Sequence, residues 1–205
     1  MKIICVGRNY ADHINELKNE KPQHPVLFLK PDTAIIQKEH PFFIPAFTEN
    51  IHYEVEVIVK INRIGKHIHP QFSQKYYDEI ALGIDFTARA LQDDLKAQGL
   101  PWEKAKAFDG SALVGNWVEK QTFSDLKTMS FNLSKNGEIV QEATTNQMLW
   151  DIDQLIAYCS TFFTLKIGDI LFTGTPKGVG KVQRNDVFVG TLEGIENFSL
   201  RIKYE

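Results

Sequence analysis

The chain has 205 residues, with 23 Lys and Arg against 26 Asp and Glu for a formal net charge of −3. That length suits one domain, and 43% hydrophobic residues can bury a full core without staples. The balance of charge, with basic residues scattered along the chain, argues against nucleic acid or a membrane surface as partner. No run approaches the roughly 18 apolar residues of a membrane span, and the apolar start is too short for a signal peptide. A soluble cytoplasmic protein is therefore expected, with Cys5 and Cys159 as buried apolar thiols rather than a redox pair.

Lys2–Val6 is predicted as a short buried strand, followed by a short helix over Tyr10–Leu17 with Asn9 as its cap. Lys18–Pro25, polar and bracketed by Pro22 and Pro25, is predicted as a mobile surface loop. The runs Val26–Leu29, Ala34–Ile36 and Phe42–Ile44 suggest a meander. Ile51–Ile61 alternates most clearly, with Tyr53, Val55, Val57, Val59 and Ile61 on one face and His52, Glu54, Glu56 and Ile58 on the other. Phe72–Ile80 is predicted helical, Ala81–Phe86 a strand, and Thr87–Gln98 an amphipathic helix ending at Gly99. Strands follow at Leu113–Val118 and Ser130–Ser134, with an Asn136–Gly137 hairpin into Glu138–Ala143. Asp151–Phe163 has helical spacing with a cap at or near Asp151, and strands return at Asp169–Phe172, Val187–Leu192 and Phe198–Ile202. There is no regular βαβ alternation, no repeat and no domain boundary. The expectation is one β-rich α+β domain spanning 1–205 with a few peripheral helices.

Glu54 and Glu56 lie two apart on a strand, so their carboxylates share a face. A solvated sheet face would give the same spacing. Asp85 is different, because a buried strand ends on it and an unpaired buried carboxylate is costly. A metal ion is one remedy, and three carboxylates are a hard oxygen set suited to Mg²⁺, Mn²⁺ or Ca²⁺. Thr173–Pro176 and the glycines after it resemble a phosphate loop only superficially: the spacing is wrong and no helix follows. His67 and His69 precede Pro70 with no third ligand near, so they are expected in an exposed loop.

The strings GRNYADHINE (Gly7–Glu16), HYEVEV (His52–Val57), GIDFTARALQDD (Gly83–Asp94), GLPWEKAKAFDG (Gly99–Gly110) and LFTGTPKGVG (Leu171–Gly180) together resemble the fumarylacetoacetate hydrolase family. The likeness is closest to its small acylpyruvate hydrolase and oxaloacetate decarboxylase branch, and it spans nearly the whole chain. It implies a mixed β-roll with peripheral short helices, a homodimer, and Mg²⁺ or Mn²⁺ (Ca²⁺ in a crystal) on Glu54, Glu56 and Asp85. It also implies a lid carrying His13 and Glu16 and substrate contacts from Arg89, Gln92, Lys106 and Thr175. Arg8, just after the first strand, is grouped with the substrate-binding candidates.

The residue chemistry agrees with these roles. His13 and Glu16 share a helical face, so the carboxylate can orient the imidazole as a general base. Arg89 offers a fork for a carboxylate and Gln92 a supporting donor. Lys106, flanked by alanines, suits a developing enolate. One departure stands out: Ser111–Asn116 lacks the prolines that often flank a glycine in relatives, which bears on the loop near the pocket. The first functional expectation is metal-dependent hydrolysis of a C–C bond in acylpyruvate-like 3-acyl-2-oxo acids, releasing pyruvate. The alternatives are decarboxylation of oxaloacetate, or tautomerisation of a 2-oxo diacid, on the same metal site. A non-catalytic metabolite binder is a third.

Overall fold

The computed structural model describes residues 1–17 and 20–204. In chain order the first half contains strands β1 (Lys2–Gly7), β2 (Val26–Pro31), β3 (Phe42–Ile44), β4 (Ile51–Tyr53), β5 (Val55–Ile61), β6 (Tyr77–Asp85) and β7 (Thr87–Ala88), with helix α1 (Ala11–Glu16) after β1. Helices α2 (Arg89–Ala97) and α3 (Glu103–Lys106) come next, then β8 (Ala112–Val114), β9 (Val118–Glu119), β10 (Ser130–Lys135) and β11 (Glu138–Thr144). The chain ends with α4 (Ile152–Phe162), β12 (Ile170–Phe172), β13 (Gly180–Lys181), β14 (Val187–Leu192) and β15 (Ile195–Tyr204).

The largest sheet runs β2-β1-β12-β5-β6-β8, with β9 also on β6. A five-stranded sheet runs β11-β10-β14-β15-β3, and β13-β4-β7 forms a third. Most pairings are antiparallel, but β1 with β12 and β3 with β15 are parallel. The result is a strand-rich α+β fold with a few short helices, as expected, although the early strands are not the simple meander predicted.

Strand alternation divides the large sheet into two apolar faces. Ile4, Val6, Val55, Val57, Val59, Leu82 and Ile84 join the main core with Phe131, Leu133, Phe188 and Leu200 of the second sheet. Ile3, Cys5, Ile58, Ala81, Ala112, Ile170 and Phe172 form a smaller core on the opposite face. Both cysteines are buried and free. Glu56, two residues from Ile58, belongs to that second face, which is where the carboxylates gather.

Several local predictions changed. Phe72–Ile80 is not a helix. Pro70–Lys75 makes a 3₁₀ segment and Tyr77 already pairs with Ile61, because seven residues of β6 find partners on β5. Long-range pairing outweighs local propensity there. Asn9 does not cap α1: its side chain bonds Trp150 O at 3.0 Å, Thr173 O at 2.7 Å and Trp150 N at 2.9 Å. Tyr10 takes the cap position without a side-chain bond.

Thr87 and Ala88 pair with β4, so α2 begins only at Arg89. It does end before Gly99, at φ +66 as a C-terminal glycine should be. Ala34–Ile36 is not a strand: Asp32–Ala34 makes a 3₁₀ turn and Ile35 forms a single bridge to Ala112. Leu113–Val118 breaks into the short strands β8 and β9.

The Asn136–Gly137 hairpin has φ 55 and 88, the left-handed pair a tight primed turn needs. Asp151 caps α4 through Gln154 N at 2.8 Å, with a reciprocal Gln154 bond. His67 and His69 are exposed. Of the loop predicted at Lys18–Pro25, Lys18 and Asn19 lie outside the described residues. No helix among the described residues is long and apolar enough to cross a membrane.

Candidate active site

The β5–β6 pairing builds the site. Glu56 lies opposite Gly83, and Asp85 N donates to Glu54 O at 2.8 Å, so Asp85 sits across from Glu54 on one face. Antiparallel neighbours project side chains together. The three carboxylates thus converge, with an oxygen from each within 4.8 Å of the others, and all three are buried. Gly83 permits this close packing: a Cβ there would lie 2.7 Å from Leu113 O and 2.7 Å from the Phe172 ring.

Three buried cations oppose them. Lys106 Nζ donates to Glu54 Oε2 at 2.8 Å, Asp85 Oδ2 at 2.6 Å and Thr87 Oγ1 at 2.6 Å, using all three of its donors. Arg89 Nη2 donates to Glu54 Oε1, and Nη1 to Gln92 Oε1 at 2.8 Å. Lys30 Nζ faces Asp85 Oδ1 at 2.8 Å and donates to Lys106 O, to Ser111 O at 3.1 Å and to Ser111 Oγ at 3.0 Å. Lys106 thus sits as a counter-ion among the carboxylates and also lines the cavity.

The protonation preferences follow. Burial would raise the Glu54 carboxyl, but Lys106, then Arg89 and His13, outweigh it and hold it well below the usual range. Burial would likewise lower the Lys106 ammonium, and Asp85 and Glu54 keep it raised instead. Glu56 is the opposite case: burial, then the Asp85 charge, push it well above the usual carboxylate range. Its bond from Gly174 N, at 2.6 Å, only partly compensates.

These residues fit a hard divalent cation. The donor set is all oxygen, Asp85 Oδ1 has no aligned hydrogen bond among the described residues despite Lys30 nearby, and the charged form of Glu56, disfavoured by burial and by Asp85, is one that a cation would favour.

Above this floor lies α1. His13 is 6% exposed, and its Nδ1 is 3.2 Å from Glu16 Oε2. Burial lowers the imidazole pKa against the raising influence of Glu54 and Glu16, which favours the neutral form. Glu16 Oε1 accepts from Gly178 N at 3.0 Å, and Lys177 Nζ donates to Asp12 at 3.0 Å, so α1 rests on the glycine turn after β12.

Arg8, His13, Glu54, Glu56, Asp85, Arg89, Gln92, Lys106 and Thr175 all line one cavity. Arg8 holds φ 62, an uncommon conformation for a residue with a side chain and a marker of a specialised loop. Glu16 is the one sequence candidate that does not line this cavity; it backs His13 instead.

Sequence reasoning missed Lys30, Ser111, Asn9 and Gln141. Lys30 had a signal, since it closes the apolar run Val26–Leu29 just as Asp85 closes its own strand. Gln141 had none. Within the stretch that departs from relatives, Ser111 reaches the site through Lys30, whereas Gly115 and Asn116 bond Leu82 and Asn197 and do not line the cavity.

Residues 2–203 match the family model described as fumarylacetoacetate (FAA) hydrolase C-terminal. The chain is 41% identical over 203 residues to mitochondrial oxaloacetate tautomerase FAHD1 of Bos taurus, covering 99% of this chain and 91% of that protein. It is 38% identical over 196 residues to mitochondrial oxaloacetate decarboxylase of Dictyostelium discoideum, covering 95% and 90%. The fumarylpyruvate hydrolase of Pseudomonas aeruginosa, crystallised with Mn²⁺ and pyruvate, superposes with a TM-score of 0.94 at 33% identity, over 100% of this chain and 90% of that one. A family match along almost the whole chain, joined to relatives of this similarity, makes the protein a member of the fumarylacetoacetate hydrolase family.

Proposed function

We propose that this protein is a divalent-metal enzyme that interconverts the keto and enol forms of oxaloacetate, with decarboxylation as a slower outcome of the same enolate chemistry. The observation that carries it is the charge pattern of the cavity. Glu54, Glu56 and Asp85 converge as an all-oxygen set suited to a divalent ion. Arg8 and Arg89 line the same cavity as cationic partners for the carboxylates of a diacid. The oxaloacetate tautomerase and decarboxylase relatives support this reading over the acylpyruvate hydrolysis expected first.

Mg²⁺ or Mn²⁺ on Glu54, Glu56 and Asp85 would supply a Lewis acid that polarises the 2-oxo group and stabilises negative charge as the C3 proton leaves. Arg8, Arg89, Gln92 and Thr175 bind and orient the substrate carboxylates. Glu16 accepts from His13 Nδ1, which leaves Nε2 with its lone pair toward the reaction. Nε2 removes a proton from C3 and returns it to the enolate oxygen, which conserves protons over the cycle. Lys106 and Lys30 fix the carboxylates against mutual repulsion. The cavity, partly open to solvent, offers about 40 Å³ to water-sized groups, room for roughly three of them. In this reading a four-carbon diacid enters with α1 lifted, and closure then excludes water. The same reading takes one catalytic domain over 1–205, working as a cytoplasmic homodimer on a diffusible 2-oxo acid, without nucleic acid or membrane.

Hydrolysis of acylpyruvates is the second reading. It is favoured by the His13–Glu16 contact, which can also deprotonate a water, and by the fumarylpyruvate hydrolase neighbour. The test follows loss of enol absorbance when Mn²⁺-loaded protein meets enol-oxaloacetate, beside pyruvate release from oxaloacetate, acetylpyruvate and fumarylpyruvate. Tautomerisation should show the highest kcat/KM. A higher value for either acylpyruvate overturns the first reading in favour of the second.

A further inference from the structure

Strand β11 alternates outward and inward, and position 141 points inward together with Ala143. An apolar residue would be expected there, yet the residue is Gln141, 1% exposed. A buried amide is tolerated when its hydrogen-bonding groups are met. Here they are met by two separate parts of the active site. Oε1 accepts from Val55 N at 2.9 Å, the residue between Glu54 and Glu56. Nε2 donates to Thr175 Oγ1 and to Pro176 O, both at 2.9 Å, and Lys177 O lies at 3.5 Å.

This network fixes the amide's orientation. Val55 N–H can only donate, so the amide oxygen must face it and the NH₂ must face Thr175. Thr175 Oγ1 is therefore an acceptor in its bond with Gln141, and its own hydrogen has to point elsewhere. Pro176 O, at 3.5 Å, is long for an O–H donor and already accepts from Gln141. The direction left for that hydrogen is the cavity, which Thr175 lines beside His13 and Arg89.

We propose that Gln141 is a positioning residue that holds the Thr175 hydroxyl as a hydrogen-bond donor toward an acceptor oxygen of the substrate, selecting a 2-oxo acid carboxylate at that place. The inference rests on the reading that this cavity takes a 2-oxo acid. Gln141 itself touches no substrate; it acts through Thr175. A Gln141 that merely joined β11 to β5 and the turn would affect stability or the metal ligands, but not this hydroxyl in particular.

Pyruvate binding to Mn²⁺-loaded protein, measured by calorimetry, separates the two roles through a double-mutant cycle. Thr175→Val and Gln141→Met should each weaken pyruvate binding about tenfold, the worth of one hydrogen bond to a charged group. The double variant should be no weaker than either single one, and Mn²⁺ affinity should stay within about twofold. Thr175→Ser, which keeps the donor, should bind close to normally. If the two losses multiply, or if Gln141→Met alters only Mn²⁺ affinity or melting temperature, the proposal is overturned. Should Gln141→Met fail to fold, the same cycle runs with Gln141→Glu, which keeps the side-chain length but places an acceptor against Thr175. A coupled cycle in a protein that turns over no oxaloacetate would overturn the tautomerase reading alone. An uncoupled cycle in an active tautomerase would overturn this one.

Discussion

The floor and the roof of the cavity are built from different kinds of contact. The floor places Glu54, Glu56, Asp85, Lys30 and Lys106 on neighbouring strands and a short helix, all at 5% exposure or less. Each side chain there is held by strand pairing and by charged partners a few ångströms away. The roof is α1, six residues that bury His13 and Ile14 and make the exposed Asp12–Lys177 pair and Glu16–Gly178 bond. Exposed pairs of this sort contribute little, whereas a buried charge that loses its partner is strongly destabilising. The mechanism proposed here has the floor stay fixed while the roof opens. Metal and substrate binding belong to the first and proton transfer to the second.

The sharpest way to break this division is Glu56→Ala. It should lower oxaloacetate tautomerisation by about 10³-fold or more and abolish Mn²⁺ binding in a calorimetric titration. Retained activity in that variant, or in chelator-treated protein, would remove the floor from the chemistry.

His13→Ala is the matching test of the roof. It should reduce kcat by roughly 10²–10³-fold while Mn²⁺ affinity stays normal. Loss of metal binding would show that roof and floor are not separable. The same residue sets a pH limit. Its folded pKa is lowered from 6.5 by burial, so the unfolded chain takes up this proton first as pH falls. Its stability contribution is present above 6.5 and is lost as pH drops through the lower folded value. The acid limb of kcat/KM should lie below 6.5 and disappear in His13→Ala.

Lys30→Met probes the floor without touching the cavity lining. It strands the buried Asp85 carboxylate and should cost roughly 3 kcal/mol in urea denaturation of metal-free protein, with part of the loss recovered by Mn²⁺. An equal loss with and without the ion would mean that Asp85 is not a ligand. Asp12→Ala should have the smallest effect, below about 1 kcal/mol in stability, with a change confined to KM. A large drop in melting temperature would show α1 to be as fixed as the floor.

Much of the protein was legible in its sequence because the signal was local. Alternation in Val55–Ile61, the Asn136–Gly137 turn, the Asp151 cap and Gly99 beyond α2 each depend on neighbours a few residues away. The order of motifs carried the family, and with it most of the polar residues that line the cavity. Tertiary structure decided what depends on register. Tyr77–Ile80 became strand because β5 was there to pair with it. Asn9 left its helix because Trp150 and Thr173 offered better partners. Glu54 and Glu56, which alone would suit a solvated face, are buried because Asp85 arrives opposite them and Lys30, Lys106 and Arg89 come from three other segments. Periodicity reports which face a side chain takes; it carries no record of which distant charge will meet it. Gln141 shows that limit most plainly, since nothing around it in sequence distinguishes it from an ordinary strand residue. Only the folded chain brings its amide between Val55 and Thr175.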